Sequence, residues 1–234
     1  RAEQALRYEV FVSELGGGGA LVDHDVRLER DHFDAYCDHL LLWDLERDRV
    51  VGVYRLLRSD QALRAGHFYS EGEYDLSKLT ASGRRLLELG RSCLHPDYRG
   101  GTAMFHLWSA LADYVAEHDI EILFGVASFH GTEITPLANA LSMLYHNHLA
   151  PEALRPVARE YQSMDLIAAE DLNRRQAMLD TPALIKAYLR LGGCVGDGAF
   201  VDYEFNTTDV CLVLDTARMN ARQKRIYGAG RSTI

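Results

Sequence analysis

At 234 residues, with 47% hydrophobic and 25% charged residues, the chain has the composition of a folded globular protein and enough length for a substantial core. A formal charge of −9 argues against a nucleic-acid binder, and no apolar run approaches the ~18 residues of a membrane span. The four cysteines, Cys37, Cys93, Cys194 and Cys211, lie far apart with no CxxC pair, so a reduced, cytoplasmic setting is expected.

Residues 1–15 carry Ala5, Leu6, Val10 and Phe11 at helical spacing, and the run Gly16 to Gly19 ends that helix. An acidic segment follows, with nine acids against three arginines between residues 23 and 48. Such a segment is either a solvated face or a site for a cationic small molecule. "HLLLWDLERDRVVGVYRLL" (39–57) predicts a hairpin, residues 66–84 a polar connection, and 85–94 a further strand. Residues 101–118 place Met104, Leu107, Trp108, Leu111, Ala112 and Val115 on one stripe of an amphipathic helix. "IEILFGVASF" (120–129) is apolar throughout, as a strand buried on both faces should be. A mixed helical stretch spans 133–180, and Leu141, Met143, Leu144, Leu149 and Leu154 are candidates to line a tunnel or lid there. A short helix over 181–193 follows, with Thr181 as its cap, and a last hairpin turns at Asn206-Thr207-Thr208. Neither a repeat nor a linker interrupts this order, so one α/β domain over 1–234 is expected.

The chemistry concentrates in "LLELGRSCLHPDYRGG" (86–101). Unpaired buried charges are costly, so Glu88 and Arg91 in an apolar strand need a reason. Residues three apart on a regular strand face opposite sides, and both reach one site only through a bulge, for which Gly90 is the natural place. The Arg99-Gly100-Gly101 turn before a helix suits a phosphate: unpaired N–H groups, the positive end of the helix dipole, and an added guanidinium. Ser92 and Ser128 lie outside any GxSxG motif, and His146 and His148 are poorly spaced as ligands, so neither a hydrolase elbow nor a metal site is expected.

The order helix, hairpin, strand, "HPDYRGG", helix resembles the GNAT acyltransferase superfamily. "RYEVF", "ERDHFD", "VGVYRLL" and "LELGR" are similar to blocks of acyl-homoserine lactone synthases. "CDHLLLWD", "FYSEGEYDL", "LELGRSCLHPDYRGG", "LFGVASFHGT" and "IKAYLRLGGCVGDGAFVDYEFNTTDVCLVLD" resemble the bacterial ornithine–acyl-ACP N-acyltransferases more closely. Thr102 departs from the general GNAT turn, where a glycine is usual.

The resemblance implies a mixed central sheet with flanking helices and a helical insert before the last helix. It also implies transfer of a 3-hydroxyacyl chain from acyl carrier protein (ACP) to the α-amine of ornithine, giving lyso-ornithine lipid, with no tightly bound cofactor. The same chemistry on glutamine, lysine or tyrosine, or a signal synthase, is the alternative. Glu88 is then a base or a structural ion pair with Arg91 or Arg55, and Arg91 orients Glu88 or holds the acceptor carboxylate. Arg7 and Arg55 are candidate anchors for the acceptor, while Asp31 and Asp34 are candidates for its ammonium. Ser92, Cys93, Leu94, Arg99, Gly100, Gly101 and Thr102 are expected along the phosphopantetheine arm, and a backbone N–H of residues 91–93 at the oxyanion. Tyr188 either protonates the leaving thiolate or is merely packed. Residues 216–234 hold five basic residues and no acid, and Arg222, Lys224 and Arg225 are expected to dock acidic ACP. An amphiphilic product makes transient contact with the inner membrane face an expectation as well.

Overall fold

The computed structural model describes residues 1–19 and 22–219. Its framework is a seven-stranded sheet. The hairpin of β1 (Asp38–Asp44) and β2 (Arg49–Arg58) pairs through β2 with β4 (Leu86–Leu94). Then come β5 (Ile122–His130), β9 (Thr207–Asp215) and β7 (Cys194–Val195), while β8 (Phe200–Asp202) also lies on β9. All pairings are antiparallel except β4 with β5. That parallel pair is short: Leu86, Leu87 and Glu88 match Ile122, Leu123 and Phe124, and beyond them the two strands no longer pair. The gap that follows is where the site forms.

The N-terminal helix exists in two forms. α1 (Ala2–Arg7) runs directly into a π-helical turn, Tyr8–Glu14, of the kind that recurs at functional sites. Leu6 and Val10 from these turns pack on Val50, Val53 and Cys93, so the segment is anchored to β2 and β4. In the acidic stretch a single 3-10 turn, His32–Ala35, starts where the Asp31 carboxylate accepts the Phe33 N–H at 2.9 Å.

Helix α4 (Ala103–Glu117) buries Leu107, Leu111, Ala112 and Val115 against β1 and β2, following the predicted stripe. Gly52 in β2 permits this packing, because a Cβ there would lie 2.7 Å from the Leu94 side chain. α5 (Ala138–His148), α6 (Arg174–Asp180) and α7 (Ala183–Arg190) complete that layer.

Three expectations need correction. Residues 66–84 are not a polar connection: Phe68, Tyr74, Leu76 and Leu79 are buried and build a second core with Phe124 and Val213 on the other sheet face. They lie around β3 (Tyr74–Asp75) and α3 (Ser77–Thr80), which follow α2 (Ser59–Ala65). The insert over 133–180 is not purely helical, since its β6 (Val157–Ala158) pairs with β3. Leu141, Met143 and Leu144 pack into the main core, and neither they nor Leu149 and Leu154 line the cavities described below. Thr181 does not cap α7: its hydroxyl donates to the Ala177 carbonyl at 2.7 Å, and Pro182 takes the cap position.

Candidate active site

The bulge is present, one residue beyond Gly90. Val53 pairs with Cys93 and Arg55 with Gly90, so Arg91 and Ser92 together oppose Tyr54. Arg91 adopts φ +51°, an uncommon conformation for a side-chain-bearing residue and one associated with functional sites. The bulge reverses the alternation of side chains, and Glu88, Arg91 and Ser92 all reach one cavity of about 270 Å³. β2 contributes Tyr54 and Arg55; β5 contributes Ala127, Ser128 and His130; β9 contributes Thr207 and Asp209. Gly125 keeps the base of the gap closed, because a Cβ there would collide with the Leu89 carbonyl.

Glu88 is 4% exposed and makes no ion pair among the described residues, either with Arg91 or with Arg55. Its carboxyl instead accepts the N–H groups of Tyr69 (2.8 Å) and Ser70 (2.6 Å). Burial raises its pKa, and the bonds from Ser70 and Tyr69 only partly oppose that. A buried carboxyl with a raised pKa is suited to accept a proton near neutral pH.

Arg7, Arg55 and Arg91 alternate with Glu29, Asp31 and Asp34 in a closed ring. Arg7 pairs with Glu29, and Glu29 with Arg91 at 3.1 Å. Arg91 then meets Asp31 at 3.2 Å, Asp31 meets Arg55 at 2.7 Å, Arg55 meets Asp34 at 2.9 Å, and Asp34 returns to Arg7 at 2.8 Å. Three cations and three anions balance, and the ring fastens the N-terminal helix and the acidic segment to β2 and β4. Burial works against ionisation of Asp31 and Asp34, yet the guanidiniums hold both carboxyls below their ordinary range. Only Arg55 and Arg91 of this ring line the cavity; Arg7, Asp31 and Asp34 stand behind them. Arg91 also lies over the Tyr69 ring, 4.7 Å from its centroid.

Tyr188 is buried and its hydroxyl is 2.7 Å from that of Tyr54. It lines a small apolar pocket between β4 and β5 with Leu89, Gly125, Leu184 and Leu212, while Tyr54 borders both that pocket and the main cavity. Cys93 and Leu94 turn into the core rather than toward the cavity.

The glycine turn forms a separate shallow concavity at the start of α4, lined by Tyr98, Arg99, Gly101, Thr102 and His106. Gly100 supplies its left-handed residue, at φ +77°. Thr102 occupies the N-cap without a side-chain cap bond, so the helix N–H groups face outward. Arg99 donates to the Leu94 carbonyl and forms a bidentate pair with Glu14 at 2.6 and 2.7 Å. Arg222, Lys224 and Arg225 lie outside the described residues.

Comparison with known proteins matches residues 6–109 to a model described as an acetyltransferase (GNAT) domain. The L-ornithine N(alpha)-acyltransferase of Rhodobacter capsulatus is 62% identical over 97% of this chain and 90% of its own length. That of Brucella abortus is 42% identical over 98% of this chain and 85% of its own length. The chain belongs to the L-ornithine N(alpha)-acyltransferase family.

It is therefore an acyltransferase with a GNAT fold. Among solved structures, the acyl-homoserine lactone synthase LasI aligns with TM-score 0.53 and 16% identity over all of this chain and 89% of LasI. FeeM, an N-acyl amino acid synthase from uncultured soil microbes, aligns with TM-score 0.51 and 12% identity over 93% of this chain and 84% of FeeM. At these identities the likeness is one of fold. Inspection of the sequence alone missed Tyr54, Tyr69, Glu73, Asp202 and Asp209, all of which line the acyltransferase's main cavity. Asp209 did carry a signal, as an acid inside a strand that is otherwise apolar and β-branched. Tyr69 and Glu73 lie in the "FYSEGEYDL" block, but nothing local ties that block to the site, which they reach from a segment outside the strands that frame it.

No helix of the described residues is long and apolar enough to cross a membrane.

Proposed function

We propose that this acyltransferase moves a 3-hydroxyacyl chain from acyl-ACP to the α-amino group of L-ornithine and so forms lyso-ornithine lipid. The observation that carries the reading is a single cavity, lined by the guanidiniums of Arg55 and Arg91 and by the buried carboxyls of Glu73, Glu88 and Asp209, beside the β4–β5 gap. The names of the relatives support ornithine as acceptor. Arg55 and Arg91 are the groups to hold its α-carboxylate, each with N–H donors in a planar fork. The neutral α-amine attacks the thioester carbonyl; the C–N bond forms and the C–S bond breaks. Glu88 accepts the proton that the nitrogen loses, directly or through a water. The carbonyl oxygen, negative in the tetrahedral intermediate, lies toward the backbone of the Arg91–Cys93 bulge. The departing thiolate takes a proton from Tyr54, which Tyr188 supports through their shared hydrogen bond, and the proton held by Glu88 then returns through solvent to Tyr54, which restores both groups.

The turn of Arg99, Gly100, Gly101 and Thr102 is assigned to the phosphate of the carrier arm, with Ser92 bordering its path to the cavity. Glu14 must then release Arg99 as the phosphate arrives. Arg222, Lys224 and Arg225 remain the proposed contacts for ACP, and their charge reversal should raise the apparent KM for acyl-ACP and weaken its salt dependence. Membrane contact is proposed to be transient, following the amphiphilic product.

The deciding experiment is thiol release from 3-hydroxyacyl-ACP across a panel of free amino acids, with acyl-CoA as control donor. Turnover with ACP and ornithine is the expected result. Turnover with glutamine instead would move the acceptor assignment, and equal turnover with acyl-CoA would remove the carrier protein from it.

A further inference from the structure

The cavity that Arg91 lines also holds three acids that none of the roles above uses. Glu73 ends the 3-10 turn Tyr69–Gly72, Asp202 closes β8, and Asp209 lies on β9. One oxygen from each lies within 4.8 Å of the others, and all three residues line the cavity. Glu73 is 7% exposed and Asp209 4%. Glu73 Oε2 and Asp209 Oδ1 are buried without a hydrogen-bond partner, and no Lys or Arg among the described residues pairs with any of the three. Asp202 is partly engaged, since its Oδ1 accepts the N–H groups of Glu204 and Phe205. Unpaired buried oxygens of this kind cost free energy until a donor arrives. Burial, and after it repulsion from Asp209 and Asp202, pushes the Glu73 carboxyl up, and burial likewise raises that of Asp209.

We propose that Glu73, Asp202 and Asp209 bind the side-chain ammonium of the acceptor and thereby select a diamino acid over its neutral isosteres. This rests on the acyl-transfer reading above and adds its specificity determinant. An ammonium has three N–H donors and no acceptor, matching three acceptor groups. Donor–acceptor distances of about 2.9 Å around one tetrahedral nitrogen set its acceptors about 4.7 Å apart, which is compatible with three oxygens that all lie within 4.8 Å of one another. Arg91 is close enough to Glu73 and Asp209 for its charge to oppose part of the rise in their pKa. An acceptor with a carboxylate at one end and an ammonium at the other would then lie between opposite charges. Its second nitrogen, held as a cation, is not nucleophilic, so only the α-amine reacts.

The test compares ornithine with norvaline, which lacks only the terminal amine, in wild type, Asp209→Asn and Glu73→Gln. Ornithine binding without acyl donor is measured by calorimetry alongside kcat/KM. Wild type should prefer ornithine by at least tenfold, and each variant should lower that ratio by about tenfold, in binding as well as turnover. Because each variant removes a buried unpaired acid, the fold should survive, and its melting temperature verifies this. An unchanged ornithine-to-norvaline ratio in both folded variants overturns the proposal. A calcium or manganese titration forms the other arm: metal binding lost in these variants, with ornithine binding intact, would make the triad a metal site and also overturn it. Failure of the acyl-transfer reading itself is visible separately, as absent wild-type turnover with ornithine while ornithine still binds.

Discussion

Removing Arg7 tests whether the charge ring holds the site together. Arg7 is fully buried, and its partners Glu29 and Asp34 have side chains 3% and 10% exposed. Breaking a buried ion pair by deleting one partner costs about 3–5 kcal/mol, because the other charge is left uncompensated. Here Glu29 keeps Arg91 and Asp34 keeps Arg55, so the lower end, about 3 kcal/mol, is the expected loss for Arg7→Met. At about 2–4 °C per kcal/mol for a chain of this size, the melting temperature should fall by about 6–12 °C. Urea titration supplies the free energy, and a cycle with Glu29→Gln supplies the coupling. Contacting groups in one network couple by about 0.5–3 kcal/mol, so the double variant should lose clearly less than the two single losses combined. Asp34, the partner of Arg7 with a lowered pKa, is held below its ordinary range, so its pairing contributes stability above the usual carboxylate pKa, and that contribution is lost as pH falls through the lower folded-state value. The wild-type advantage over Arg7→Met should therefore persist at neutral pH and shrink below about pH 3.9. Single-variant losses under about 0.5 kcal/mol, or strict additivity, would refute the ring as a cooperative unit.

Glu73→Gln bears on the opposite sign. Its folded-state pKa is raised, so wild-type stability is greatest below the ordinary carboxylate range and declines as pH rises toward the raised value. The variant lacks that decline, and its gain in melting temperature should be larger at pH 8 than at pH 5; equal gains would discount the repulsion. Gly125→Ala should lower the melting temperature by about 2–12 °C, from an overpacking cost of about 1–3 kcal/mol where the added methyl meets the Leu89 carbonyl. An unshifted transition would mean that β4 and β5 part more easily than their packing implies. Arg99→Met removes an exposed pair with Glu14 and should change stability by less than about 1 kcal/mol, yet raise the KM for the acyl donor about tenfold. A KM that does not move would take Arg99 out of donor binding. Glu88→Gln replaces one acceptor oxygen with an NH₂ facing the N–H groups of Tyr69 or Ser70, so it should lower kcat by at least about 100-fold and abolish the acid-side limb of the pH profile, where protonation of the base shuts the reaction off. A retained profile with only a raised KM would make Glu88 a positioning residue.

Much of the architecture was legible because periodicity is local. The β1–β2 hairpin, β4, α4 and β5 each carry their own pattern of apolar residues, and the observed bounds fall within a few residues of those read from the chain. The need for a bulge was also legible, since two charges three apart on one strand cannot otherwise share a site. Its position was not: glycine tolerance pointed to Gly90, while the β2–β4 register placed the strained residue at Arg91. The segment 66–84 read as polar because its charged residues dominate by count. Yet Phe68, Tyr74, Leu76 and Leu79 find partners on the far face of the sheet, which no local pattern reveals.

By itself the sequence determined the order of the longest elements, the Arg-Gly-Gly turn before α4 and the acyltransferase family, because each rests on residues near one another in the chain. The tertiary structure decided how the charges are shared out. Asp31 and Asp34, which read as groups for a ligand's ammonium, are taken up by Arg7 and Arg55, whereas Glu73, Asp202 and Asp209 converge on the cavity with no cationic partner among the described residues. Charge pairing falls off over a few ångströms, and those distances are set by which strands lie side by side. β9 brings Asp209 beside a loop residue 136 positions away, Glu73, and only the folded sheet makes them neighbours.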